Sequence, residues 1–426
     1  MTGFAPPSSA EVHRNTQLIQ ESYFAFKAQG LRLDLTRGKP SPAQLDLSAG
    51  MLALPGAKGF VAEGATDCRN YGGLQGLIEA RRLFCEMMGA PPEQVVVGNN
   101  SSLALMHDTV MFALLKGTYD SVAPWSQSTG TAFLCPVPGY DRHFKICEDY
   151  GIRMIPVGLG EDGPDMEQVE RLVAEDASIK GMWCVPKYSN PTGTVYSADV
   201  IERLAAMKTA AGDFRLFWDH AYAVHHLTEE RLEIANILGL CARHGHANRA
   251  YVFASTSKMT LAGAGLALFA ASKENVKWLL GGMAPQTIGP DKLNQLRHVQ
   301  FLKDTAGIEK LMDRHRALIA PKFQTVQEIF KARLQGVDGV RWSKPKGGYF
   351  ITLEVPKGRA RRSVTLAKEA GIELTPAGAT YPHGNDPEDR VLRIAPTYVE
   401  LAEVAKAAEG VALSVLMAAR NGVGER

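Results

Sequence analysis

The chain has 426 residues, more than one small core accommodates, so two domains, one of them large, are expected. Its 47 basic and 45 acidic residues nearly cancel, which argues against a polybasic protein that binds nucleic acid or a membrane surface. With 45% hydrophobic and 22% charged residues, and no run near the roughly 20 apolar residues that span a bilayer, the composition is that of a soluble globular protein.

The segment Met1–Ala10 lacks a basic patch followed by an apolar run, so no secretory leader is expected. Residues 11–29 read as an amphipathic helix carrying Val12, Leu18, Ile19, Tyr23 and Phe24. Leu33–Pro40 reads as a short strand broken into a loop by Gly38 and Pro40. From about residue 76 to 300, helices alternate with short apolar runs: Val95–Val97, Thr131–Cys135, Met154–Val157, Gly181–Val185, Phe214–Trp218 and Tyr251–Ala254. That alternation predicts a mostly parallel α/β sheet buried on both faces, with ligands at the carboxyl ends of its strands. Beyond 300 a helix over 308–334, antiparallel strands near Gly339–Trp342 and Gly347–Leu353, a strand Val391–Ile394 and helices near 361–370 and 398–418 predict a smaller α+β domain. The expected division is 49–300 for the large domain and 1–48 plus 301–426 for the small one. The six cysteines, at 68, 85, 135, 147, 184 and 241, form no CxxC pair and do not cluster with histidines. Free thiols in a reducing cytoplasm are expected, with no metal site.

A dispersed set of polar residues falls at the ends of these runs. Lys258 follows Ser255 and Ser257 and precedes the small apolar segment Thr260–Leu266. A lysine attacks an aldehyde only when neutral, which a desolvated setting favours, although a solvated lysine after a Ser/Thr turn reads the same way. Asp219 ends the apolar run Leu216–Trp218, where an acid is costly unless paired. A protonated pyridine nitrogen would pair it, and Tyr222 could then bond the ring hydroxyl; a helix N-cap would use the same aspartate. Asn190-Pro191-Thr192-Gly193 is a turn by propensity, and its asparagine can donate to a ring oxygen. Gly98–Ser102 joins a strand to a helix, so Asn100, Ser101 and Ser102 offer either an anion site or a plain cap. Tyr140 can stack on an aromatic ring or sit in the core. Arg393 stands inside the apolar strand Val391–Ile394 and needs an anion, a substrate carboxylate or a structural partner. His225-His226 lacks a matching ligand pattern and reads as surface.

Taken together, these residues resemble the class I aminotransferases, the fold type I pyridoxal-phosphate enzymes typified by aspartate aminotransferase, over about residues 30–415. The resemblance implies pyridoxal 5'-phosphate held by Lys258 as a Schiff base, with Asp219 on the pyridinium nitrogen. It implies Asn190 and Tyr222 on the ring oxygen, Tyr140 stacked on the ring, and Asn100, Ser101, Ser102, Ser255 and Ser257 around the phosphate. Tyr71, in Tyr71–Gly76, matches a tyrosine that reaches the neighbouring subunit's phosphate, implying a homodimer. Gly38 and Arg393 match positions that receive the substrate's α-carboxylate. One departure stands out: the family's phosphate-gripping arginine, eight residues after the lysine, is Leu266 here. The segment Thr36–Pro40, the Asn-Ser-Ser loop and the Ser-Thr-Ser-Lys box further resemble a divergent bacterial subgroup, called MocR-like or type Ic aspartate aminotransferase. A chain whose aminotransferase pattern starts near residue 30 leaves no room for the winged helix that MocR regulators carry.

The expected reaction is ping-pong amino transfer from an L-amino acid, aspartate by subgroup resemblance, to a 2-oxo acid such as 2-oxoglutarate. A distal carboxylate needs a second cation, for which Arg37, Lys292 and Arg297 are candidates; a solvated helix is the alternative for the last two. The same residues could serve a lyase, a decarboxylase or an aminotransferase for other amino acids. An effector module that binds the cofactor without catalysis is the alternative of another class, but the chain shows no basic helix-turn-helix for DNA.

Overall fold

The computed structural model describes residues 9–420, with side chains from residue 16 onward. Residues 1–8, which carry the expectation about a leader, residues 421–426 and the side chain of Val12 lie outside the described residues. The apolar runs between 95 and 270 assemble into one seven-stranded sheet. Its order from one edge is Val95–Val97, Ala267–Ala270, Ala250–Ser255, Arg215–Asp219, Ile179–Cys184, Ala132–Val137 and Arg153–Gly158. The five strands from Ala250–Ser255 to Arg153–Gly158 pair in parallel, while Ala267–Ala270 runs antiparallel to both neighbours. The antiparallel strand is the one the sequence does not announce. Its four residues continue the small apolar Gly263–Leu266 run with no turn signal between them.

Both faces of the sheet are covered, as a βα alternation requires. Along Arg215–Asp219, Leu216 and Trp218 enter one core cluster and Phe217 enters the other, following the two-residue period of a strand. Tyr251 and Phe253 alternate with Val252 and Ala254 in the same way.

A third cluster lies beyond the sheet. The 30-residue helix Thr305–Leu334 links it to the first: Ile308, Leu311 and Met312 pack below the sheet, and Ile319, Phe323, Val326, Phe330 and Leu334 pack in the third cluster. These residues recur at three- and four-residue spacing, one helical face. Asp304 caps the helix by accepting from the Gly307 amide at 2.8 Å. Around this face sit an antiparallel sheet of Arg341–Trp342, Ile351–Glu354 and Val391–Ile394 and the helices Ala360–Glu369 and Leu401–Arg420. The N-terminal helix, Ser9–Lys27, packs here too: Tyr23 and Phe26 join the cluster, and the Tyr23 hydroxyl donates to the Leu366 carbonyl at 2.8 Å. Leu33–Asp34 then pairs in parallel with Ile372–Glu373. Among the described residues no helix is long and apolar enough to cross a membrane.

Candidate active site

Asp219 is the last residue of its strand and is buried. One carboxylate oxygen accepts from the Ala221 amide at 3.1 Å, which turns the chain out of the sheet. The other lies 3.1 Å from Nε2 of His143, a residue of the helix Asp141–Asp149. With its proton on Nε2, His143 donates to the carboxylate. The imidazole is fixed in turn by stacking on Trp183 at 4.3 Å and 8°, and Tyr140 meets it edge-on at 4.9 Å. Such a backed carboxylate at a strand end is what a protonated ring nitrogen needs.

Lys258 follows the strand Ala250–Ser255, and its Nζ lies 5.0 Å from the centre of the Tyr222 ring. Burial lowers the pKa of its amine, with the negative charge of Asp219 opposing, so the neutral, nucleophilic form is easier to reach than in solvent. The Tyr222 hydroxyl is pushed well above its usual range by burial, reinforced by Tyr140 and Asp219, so it stays a neutral donor. Burial, then Asp219, raises the Tyr140 hydroxyl to about 12.

The backbone beside Lys258 is clamped by residues that nothing in the sequence singled out. Tyr349 donates its hydroxyl to the Lys258 carbonyl at 3.4 Å, and His315 Nε2 lies 2.8 Å from the Met259 carbonyl. Gln44 Nε2 donates to the Tyr349 hydroxyl at 2.9 Å and lies 3.1 Å from His315 Nδ1. All three side chains are buried. A polar residue within the apolar stripe Ile308–Ile319 is the only signal of His315 that the sequence carries.

Ser102, Tyr140, Asn190, Asp219, Tyr222 and Lys258 line one cleft at the strand ends. Asn190 is buried there and its Oδ1 has no hydrogen-bond partner, an orphaned acceptor where a bound group is expected. The donor set fits a phosphorylated pyridine aldehyde: an acid for the ring nitrogen, a phenol and an amide for the ring oxygen, and an amine for the aldehyde.

The phosphate end is more economical. Ser101 caps the 15-residue helix Ser102–Lys116, its hydroxyl accepting from the Ala104 amide at 3.1 Å. The unpaired first amides of that helix make a ready anion site. The Ser255 hydroxyl donates to Ser257 Oγ at 2.8 Å, and Ser257 Oγ donates to the Asn100 carbonyl at 3.3 Å, which joins the two loops. Gly265 presses on them: a Cβ there would stand 2.8 Å from Ser257 Oγ and 2.9 Å from its amide. Leu266 is buried, and its amide donates to Thr256 Oγ1 at 2.7 Å. The Thr256 and Thr260 hydroxyls meet His298 Nε2 at 3.1 and 3.0 Å. Apolar packing and neutral hydrogen bonds thus fill the place of the family's arginine, and His298 is itself kept neutral by burial, its pKa lowered to about 4.

The remaining candidates are scattered. Arg393 is largely covered, pairs with Asp141 at 3.1 Å, bonds the Thr375 hydroxyl and lies over the Phe350 ring at 5.0 Å. Gly38 packs against that ring so closely that a Cβ would overlap it at 2.2 Å, so Gly38 and Arg393 share Phe350 as a wall. Tyr71 is 82% exposed. Lys292 is buried rather than solvated, its ammonium donating to the Asn70 and Gly72 carbonyls at 2.7 Å. Arg297 donates to the Leu54 carbonyl at 2.9 Å. Arg37 is exposed and pairs with Asp34 at 2.5 Å. None of Tyr71, Lys292, Arg297 and Arg37 lines the cleft.

A sheet of this order, with a backed acid, a desolvated lysine and a helix N-terminus at its strand ends, defines a fold type I pyridoxal-phosphate enzyme of the aminotransferase kind. The chain belongs to the aspartate amino-transferase family, whose model matches residues 6–425. It is 54% identical over 405 residues to a protein of Mycolicibacterium smegmatis, covering 95% of each chain. It is 49% identical over 401 residues to an aspartate aminotransferase of Corynebacterium glutamicum, covering 94% of this chain and 93% of that one. The crystal structure of an aspartate transaminase from Corynebacterium glutamicum superposes with a TM-score of 0.94 at 48% identity, over 97% of both chains. The α-aminoadipate aminotransferase of Thermus thermophilus, solved with a phosphopyridoxyl-leucine adduct, shares the fold with a TM-score of 0.74 at 23% identity, over 93% of this chain and 95% of that one. The chain is accordingly a pyridoxal-phosphate-dependent transaminase.

Proposed function

We propose that the enzyme moves the amino group of aspartate to 2-oxoglutarate in a ping-pong cycle, with the cleft around Lys258 as its site. The observation that carries this reading is the convergence of Lys258, Asp219, Tyr222, Asn190 and Tyr140 on one cleft, with Asp219 held on His143. The relatedness to an aspartate aminotransferase at 49% identity supports the choice of donor. When bound, the cofactor supplies an electron sink for carbanion chemistry at the substrate's Cα. The residues of the chain do the rest. Lys258 would hold the cofactor's aldehyde and, as a neutral amine, would carry the Cα proton. Asp219 keeps the ring nitrogen protonated, and His143 orients Asp219. Tyr222 and Asn190 hold the ring oxygen, and Tyr140 covers the ring. Ser102, Asn100, Ser101, Ser255 and Ser257, with the amides of the helix start, take the phosphate. Arg393, beside Gly38, receives the α-carboxylate in exchange for Asp141.

The same reading takes the enzyme as a homodimer in which the exposed Tyr71 reaches the partner's site, as a large aromatic so open to solvent suggests. Lys292 and Arg297, bonded to carbonyl oxygens near that surface, and Arg37 remain the candidates for a distal carboxylate. The domain division at 49–300, the type Ic (MocR-like) subgroup and a cytoplasmic location complete the proposal. All six thiols are free, in keeping with a reducing compartment. Incubation with aspartate and 2-oxoglutarate should yield glutamate and oxaloacetate in equal amounts. Pyruvate or ammonia without glutamate would replace the reading with lyase chemistry.

A further inference from the structure

Behind the cleft, between the loops that leave the sheet and the first half of the helix Thr305–Leu334, lies a second cavity of about 320 Å³. It shares no lining residue with the cleft around Lys258, yet it is built on the same two loops. Lys187 lies three residues before Asn190, and His220 directly follows Asp219.

Lys187 is 7% exposed, and among the described residues its ammonium makes no hydrogen bond or ion pair; it lies 5.6 Å from the centre of the Tyr188 ring. Glu233 acts on it only from beyond ion-pair distance, and burial lowers its pKa to about 8. A largely desolvated cation favours an anionic neighbour, and an anion in the cavity would supply one. His220 is complementary. Burial lowers its pKa to about 4 and keeps the ring neutral, which leaves one ring nitrogen an acceptor; with the proton on Nδ1 that acceptor is Nε2. That Nε2 is buried without a partner. A donor in the cavity would satisfy it. The rest of the wall is mixed: Leu83, Met87, Ile308 and Met312 suit an apolar body, beside Glu86, Glu233 and the mutually ion-paired Arg231, Glu309, Asp313 and Arg316.

We propose that this cavity binds a small α-amino acid with an apolar side chain, its carboxylate on Lys187, its ammonium on His220 Nε2 and its side chain against Met87, Ile308 and Met312. The site is separate from the catalytic cleft, so occupancy is non-competitive with aspartate. Because one wall is the helix that joins the two core clusters, a bound ligand also ties that helix to the loops bearing Asp219 and Asn190.

The probe is 1-aminocyclopentane-1-carboxylate, which has no Cα hydrogen and cannot be transaminated. Its binding to the holoenzyme is measured by calorimetry, with cyclopentanecarboxylate and cyclopentylamine as controls. Saturable binding is expected that persists in Arg393→Ala and at saturating aspartate, weakens at least about tenfold in Lys187→Met, and is blocked in Met312→Trp, where the lysine is intact. Either half-molecule alone should bind more weakly. Absence of binding to the wild-type holoenzyme would overturn the proposal, as would binding unchanged in both Lys187→Met and Met312→Trp. Binding that aspartate displaces, or that Arg393→Ala abolishes, would place the probe in the catalytic cleft and overturn it equally.

Discussion

Replacing Asp141 by asparagine should make the enzyme bind its substrates more tightly. The Arg393 guanidinium is held by Asp141 at 3.1 Å, with the arginine side chain 10% and the aspartate side chain 36% exposed. Any α-carboxylate that Arg393 receives must displace that partner. The gross attraction of such a pair near a protein surface is about 4 kcal/mol at 4 Å, but partial exposure and desolvation leave about 1 kcal/mol net. Asparagine fills the same space and removes the charge, so about 1 kcal/mol less opposes binding, or roughly fivefold in KM. The gain is shared by ground state and transition state, so kcat should stay within about twofold. Both half-reactions use the same arginine, and KM should fall for aspartate and for 2-oxoglutarate alike. Steady-state rates, with oxaloacetate release coupled to its reduction, give all three parameters. A KM that rises, or that falls for one substrate alone, would refute the displacement argument. Arg393→Ala is the companion: it should raise both KM values by roughly 10- to 100-fold through loss of a charge-assisted pair.

Gly265→Ala should weaken cofactor binding by about tenfold or more, because the added methyl meets Ser257 at 2.8–3.0 Å; retained affinity in a cofactor titration would show that the Ser255–Ser257 turn does not hold the phosphate. Phe253→Ala, at a fully buried position stacked near Phe217, should cost about 3–5 kcal/mol in urea unfolding, and a loss below 1 kcal/mol would contradict the packing described. His315 and His298, each lowered by burial from 6.5 to about 4, make the fold acid-sensitive. Between these values the unfolded chain binds more protons, so their contribution is complete above pH 6.5 and is lost as pH falls toward 4, on the order of 1 kcal/mol per pH unit for each. In His315→Gln the fall in the urea midpoint from pH 7 to pH 5 should be shallower than in wild type; an equal slope would mean that His315 is not a buried neutral histidine.

What the sequence disclosed was whatever local chemistry and period could carry. Asp219 and Lys258 stand at the ends of buried apolar runs, where a charge is conspicuous, and the sheet's strands are near-continuous apolar stretches. What it hid depends on residues far apart in the chain. His143 reads as one polar residue of an amphipathic helix until the fold sets it against Asp219, 76 residues away. Arg393 raised the question of a structural partner, but only the fold names it as Asp141, 252 residues distant. The clamp on the Lys258 backbone joins Gln44 to His315 and Tyr349 across separations of 271 and 305 residues. The strand Ala267–Ala270 escaped for a different reason: it is too short and too uniformly apolar to stand apart from the segment before it.

The account rests on Lys258 as the residue that holds the cofactor in this cleft. Its most direct test is the absorption spectrum of the purified holoenzyme and of Lys258→Ala, titrated with amino acids. The wild-type cofactor band should bleach with aspartate or glutamate and persist with alanine or phenylalanine, and Lys258→Ala should lack the band. An unchanged band in Lys258→Ala would contradict the assignment at its centre.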